Sequence, residues 1–177
     1  MNDFIELCRQ RQSCRNFADT PVSHEKLEKC VDAGRLAPSA CNSQPWSFIV
    51  VETPEIAAEV AKCGQQMNMN PFLSKAKAFI VVLEEYAVLR RNISSIIDSQ
   101  YFAKGDIGAA ALQICLEATM QGLGTCIIGI YDRVKLCELL NLPVQKQVGA
   151  LIAVGNPADG NIRVKDRKPL DELVKFI

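Results

Sequence analysis

A chain of 177 residues, 49% of them hydrophobic, is long enough to bury a substantial core as one domain spanning residues 1–177. Its 20 basic and 20 acidic residues cancel, so no basic field recruits nucleic acid, and no apolar run approaches the length of a membrane span. The eight cysteines are scattered and none forms a Cys-x-x-Cys pair. Several, such as Cys30 and Cys115, fall inside apolar helical patterns where cysteine acts as a small hydrophobe. Together with Asp3 in the opening Met1-Asn2-Asp3-Phe4, where a signal peptide carries positive charge, this predicts a reduced, cytoplasmic protein.

Asp3 to Arg11 reads as a short helix with Phe4, Leu7 and Cys8 on one side. Arg11-Gln12-Ser13-Cys14-Arg15 follows, and two arginines with a serine at a helix end suit a phosphate. The same cations also complement a helix C-terminus. Asn16 to Val22 is a loop. Ser23 then caps a helix carrying Leu27, Cys30, Val31, Gly34 and Leu36 at helical spacing. His24, the only histidine, lies in its charged first turn and is expected on the solvated surface, with no catalytic role.

Pro38 disfavours helix at Ala37, and Pro45 holds Gln44 extended. Between the prolines, Ser39, Asn42 and Ser43 turn the chain and offer hydrogen bonds without bulk. The single Trp, Trp46, then opens a strand predicted over Ser47–Glu52. This is either a ligand-holding loop or an ordinary connection with a core Trp. Thr53-Pro54-Glu55 starts a helix to about Lys62. The polar stretch 64–71 is a helix presenting amides or a linker, and Ala78 to Leu83 is a buried strand.

Glu84 to Gln100 has no clear period. Tyr101 to Gln121 forms a long helix whose Gly105, Gly108, Ala109, Ala110 and Ala111 let another helix or subunit approach. Gly122 to Gly129 ends that helix and begins an extended run, in which three glycines permit close approach of backbone to a flat ligand. It is not a dinucleotide fingerprint, because Gly-x-Gly here follows a helix instead of opening one. A short helix over Arg133–Leu140, a strand over Val148–Gly155 and a basic tail complete the chain.

No catalytic set of side chains stands out. One exposed histidine argues against a Ser-His-Asp or Cys-His engine. There is no zinc spacing and no phosphate loop of the Gly-x-x-x-x-Gly-Lys-Ser/Thr type. If the chain is an enzyme, a bound cofactor carries the difficult step. The basic clusters at residues 11–15 and 163–168 are then candidates to converge on one phosphate.

Four segments, in order, resemble those of the nitroreductase family of flavin mononucleotide (FMN) enzymes. Arg11-Gln12-Ser13-Cys14-Arg15 is similar to the family's Arg-x-Ser-x-Arg, and Pro38 through Trp46 to its Pro-Ser-x-x-Asn-x-Gln-Pro-Trp. Gly122 through Gly129 resembles its glycine-rich segment, and Lys165-Asp166-Arg167-Lys168-Pro169 its Lys/Arg-x-Arg-x-Pro tail. The resemblance implies an α+β fold, a mixed sheet flanked by helices, in an intertwined homodimer with FMN at the subunit interface. It implies that Arg11, Gln12, Ser13, Arg15, Lys165 and Arg167 hold the phosphate and ribityl chain. Pro38, Ser39, Ala40 and Asn42 would come from the partner subunit, and the backbone of Ile128 and Gly129 would sit near flavin N5.

The implied reaction is ping-pong. NADH or NADPH delivers hydride to the flavin, and a small acceptor such as a nitroaromatic or quinone takes it on. Relatives that fragment flavin or remove halogen reductively are the alternative, with a non-catalytic flavin-binding dimer as a further one. The family's Asn and Lys contacts to the ring edge fall near Gln65–Phe72, where Asn68 or Asn70 is available and no lysine is in register.

Overall fold

The computed structural model describes residues 3–177. Met1 and Asn2, on which part of the signal-peptide comparison rests, lie outside the described residues. Helix α1 (Phe4–Gln10) is capped by Asp3, whose carboxylate accepts from the Ile5 N–H at 3.1 Å. Helix α2 (His24–Arg35) begins after Ser23 and stops before Pro38 as expected, although the Ser23 hydroxyl makes no capping bond. Strand β1 (Trp46–Val51) is followed by helix α3 (Pro54–Cys63), with proline in its first turn. Strand β2 (Ala78–Glu84), helix α4 (Arg91–Ser94), helix α5 (Ala103–Met120), strand β3 (Gly124–Ile128), helix α6 (Arg133–Leu139) and strand β4 (Val148–Gly155) complete the regular elements.

The strands form one four-stranded sheet in the order β1-β2-β4-β3, each antiparallel to its neighbours. An isolated parallel bridge of Ser13 with Thr125 lies on the outer edge of β3. The central strands β2 and β4 have helices on both faces, which explains their unbroken apolar runs. Alternation divides the core in two. Phe79, Val81 and Leu83 pack with Val60 of α3 and Leu136 of α6. Ala78, Ile80 and Val82 pack with Leu27 of α2 and Ile107, Ala110 and Ile114 of α5. The result is three layers, with the sheet in the middle. Helices α2 and α5 lie so close that a Cβ at Gly34 would stand 2.7 Å from Ile114 Cγ1.

The ambiguous stretch after β2 is held by one side chain. Gln100 Oε1 accepts from Ala87 N–H at 2.6 Å, while its Nε2 donates to Glu84 Oε1 at 2.8 Å and to the Glu85 carbonyl at 3.1 Å. Below it, Glu85 accepts from Lys146 Nζ and Ser47 Oγ, both at 2.5 Å, tying this stretch to β1 and to the approach to β4. His24 is exposed and pairs with Glu52 at 3.0 Å, in keeping with a surface role. All eight cysteines are free thiols. Among the described residues no helix is long and apolar enough to cross a membrane.

Candidate active site

The site is built on the segment that leaves α1. Arg11 ends the helix with extended backbone (φ −60°, ψ 122°), and the chain runs along the edge of β3, where Cys14 N–H donates to the Thr125 carbonyl at 2.8 Å. Gly124 makes this approach possible, since a Cβ there would lie 2.7 Å from both Cβ and Sγ of Cys14. The three glycines of this run are expected to permit close approach of backbone to a flat ligand. At Gly124 the close neighbour is instead the chain's own Arg11–Arg15 segment.

Two cavities flank that segment. One of about 230 Å³ is lined by Arg11, Gln12 and Ser13, by Gly108, Leu112 and Cys115 of α5, and by Thr125 and Ile127 of β3. The other, about 420 Å³, lies between Ser13–Asn16, the turn after α5 and residues 157–163, with Arg15 and Arg163 among its walls. Burial raises the Cys115 thiol, opposed by a hydrogen bond from Thr125 and by the charge of Arg11. Burial likewise raises Cys126, opposed by Arg15 and Ser13. Both buried thiols therefore feel the arginines of the edge segment.

The tail folds back onto this segment. Arg163 Nη2 donates to the Ser13 carbonyl at 2.6 Å, and Lys165 Nζ donates to the carbonyl of Arg9 in the last turn of α1. Four cations gather as a result. The Lys165 ammonium is held below the usual lysine value, first by burial and then by Arg11, Arg167 and Arg163, with Glu6 opposing. The two basic clusters read from the sequence do converge, and Arg163 joins the positions the motif named.

The loop between the prolines packs on the start of α5. Ala40 N–H donates to Asp106 Oδ2 at 3.1 Å, near the start of α5. The smaller cavity runs along that helix from Gly108, two residues beyond Asp106, to Cys115. Pro38, Ser39, Ala40 and Asn42 line neither cavity. The loop is nevertheless built as a rigid, strained unit. Cys41, Asn42 and Gln44 all have positive φ (54°, 54° and 48°), so Gln44 is left-handed where Pro45 was expected to hold it extended, and Ser39 Oγ accepts from Gln44 N–H at 2.9 Å. Ser43 Oγ is buried there with no hydrogen-bond partner in this chain.

Ile128 closes β3 with its side chain in the core, and Gly129 is exposed just beyond. Neither lines the two cavities, whereas Thr125 and Ile127 line the smaller one. Of the two asparagines left open, Asn70 donates to the Gly64 carbonyl at 3.0 Å and steadies its own turn, while Asn68 is exposed. Gly108, Leu112, Thr125 and Ile127 were absent from the sequence-derived site. For Gly108, Leu112 and Ile127 the one signal was an apolar or glycine residue facing outward from a regular element, whereas Thr125 is a buried polar residue.

The arrangement offers concentrated positive charge beside cavities walled by small and apolar residues, which suits an anionic group carrying a flat ring. Known proteins agree with that geometry. A protein of Archaeoglobus fulgidus, described as a candidate NADH dehydrogenase/NAD(P)H nitroreductase, is 31% identical over 163 residues, covering 90% of this chain and 88% of its own. An FMN reductase [NAD(P)H] of Bacillus subtilis is 28% identical, over 98% of this chain and 73% of its own. A crystal structure from Desulfovibrio desulfuricans, described as a candidate nitroreductase in complex with FMN, superposes with a TM-score of 0.77 at 27% identity, covering 98% of this chain and 96% of that one. The model of the Nitroreductase family matches residues 8–69 and 62–156. With its motifs in order, its sheet and its cation cluster in place, the chain belongs to the Nitroreductase family.

Proposed function

We propose that this chain is an FMN-dependent NAD(P)H oxidoreductase that works as a homodimer. The observation that carries the reading is the return of the tail onto the Arg11–Arg15 segment, Arg163 bonded to the Ser13 carbonyl and Lys165 to that of Arg9, which gathers Arg11, Arg163, Lys165 and Arg167. Such a cluster repels itself, and a dianionic phosphate relieves the repulsion through charge-assisted hydrogen bonds. The cavity walls of Gly108, Leu112 and Ile127 suit an apolar ring. The residues present therefore fit FMN.

When bound, FMN supplies ping-pong chemistry: hydride acceptance at N5 from NADH or NADPH, then release to a nitroaromatic, quinone or similar small acceptor. The chain's own residues bind and orient. Arg11, Ser13, Arg15, Lys165 and Arg167 hold the phosphate and ribityl chain. Backbone groups of Ile128 and Gly129 would offer hydrogen bonds near N5, where a fixed donor in a dry site would act strongly on developing charge.

A second copy completes the pocket through the partner subunit's Pro38, Ser39, Ala40 and Asn42. The apolar tail supports the dimer, since Leu173, Phe176 and Ile177 are exposed within one chain.

The test is the visible absorption spectrum of the purified protein before and after anaerobic NADH or NADPH. A flavin spectrum that bleaches on addition supports the reading and identifies the donor. Bound FMN that stays oxidised with both donors refutes the oxidoreductase and moves the reaction to another flavin chemistry. A colourless protein that cannot be reloaded with FMN refutes the cofactor.

A further inference from the structure

Gln12 lies inside the Arg-x-Ser-x-Arg motif, at one of its unspecified positions, yet its carboxamide is spent on the tail. Its Oε1 accepts from Arg163 N–H at 3.1 Å and from Arg163 Nε at 3.3 Å, and its Nε2 donates to the Asn161 carbonyl at 2.7 Å. An amide oxygen has two lone pairs, so its acceptor capacity is filled within the chain, and one of the two amide N–H groups is committed to Asn161. These three bonds join positions 149 and 151 residues apart. Arg163 then reaches back to the Ser13 carbonyl at 2.6 Å, closing a ring of hydrogen bonds around Gln12.

We propose that Gln12 is a positioning residue: it clasps Asn161–Arg163 to Arg11–Ser13 and so presents Arg163 and Lys165 to the cofactor phosphate without touching the phosphate itself. The inference rests on FMN being the cofactor. Four like charges in one patch push the tail outward, and Lys165 is only two residues beyond the clasp. A clasp that opposes this repulsion before binding leaves less ordering to be done when the phosphate arrives. The family motif leaves position 12 open, and here the position answers to the tail.

The full-length protein, freed of flavin and reloaded, provides the test, with FMN and riboflavin as probes. The two differ only in the phosphate. Gln12→Met keeps the length of the side chain and removes its polar atoms. It is expected to raise the Kd for FMN about tenfold while that for riboflavin moves less than about twofold. Because Gln12 acts largely through Arg163, Gln12→Met is expected to weaken FMN binding less on the Arg163→Met background than on the wild type. The melting temperature of the flavin-free protein separates misfolding from loss of the clasp.

Equal weakening of FMN and riboflavin, no weakening of either, or additive losses in the double variant would overturn the role of Gln12. Wild-type protein that binds FMN no better than riboflavin would overturn the phosphate reading, and this inference with it.

Discussion

Gly105 and Gly108 stand three residues apart on α5, and a Cβ added at either meets nothing within 4 Å in this chain. Glycine in a helix interior costs about 0.8–1.0 kcal/mol relative to alanine. For an isolated chain, Gly105→Ala with Gly108→Ala therefore stabilises by about 1.5–2 kcal/mol, shifting Tm upward by a few degrees. Gly108 nevertheless lines the smaller cavity, beside Arg11 and the half-exposed Leu112. If the partner subunit or the cofactor occupies that space, the new methyl groups meet atoms absent from one chain, and overpacking of this kind costs about 1–3 kcal/mol. The two terms have opposite signs. Urea denaturation at several protein concentrations, with sedimentation velocity, reads both. The expected result for the double variant is a weaker dimer or weaker FMN binding. A variant more stable by the full propensity gain, with unchanged dimerisation and unchanged FMN affinity, would refute an occupied α5 face.

Glu85 sits below its usual value of 4.5, chiefly through hydrogen bonds from Lys146 and then Ser47. A depressed folded-state value gives stability that is present above 4.5 and lost as pH falls through the folded value. Glu85→Gln is thus expected to lower stability near neutrality and flatten the acid limb of the stability curve. Denaturation curves parallel to wild type across that range would refute it. Thiol reactivity is expected to follow burial. Cys41 is exposed, whereas Cys30 is pushed up to about 12 by burial, then by Glu117 and Cys115. A thiol-specific reagent should modify Cys41 fast in the flavin-free protein, more slowly in the FMN-loaded dimer, and Cys30 only on unfolding, and mass mapping reads the order.

The sequence by itself determined the elements whose signals are local. Pro38 and Pro54 set helix boundaries through backbone sterics, and the apolar run of β2 required cover on both faces. The order of the motifs was equally legible, because spacing along the chain survives without any knowledge of contacts. Only the tertiary structure decided what Gln12 and Gln100 do. Both are polar residues with no periodic signature, and each acts through hydrogen bonds to backbone that has other uses in the linear code. Gly124 likewise read as a place for a ligand until the fold set Cys14 against it.

The convergence of Arg163 and Lys165 on Arg11 was expected in outline, but which cations meet depends on where the tail crosses α1. The physical reason is common to these cases. Sterics and hydrophobic period act between near neighbours in sequence, whereas hydrogen bonds and charge act between whatever the packed layers bring within reach.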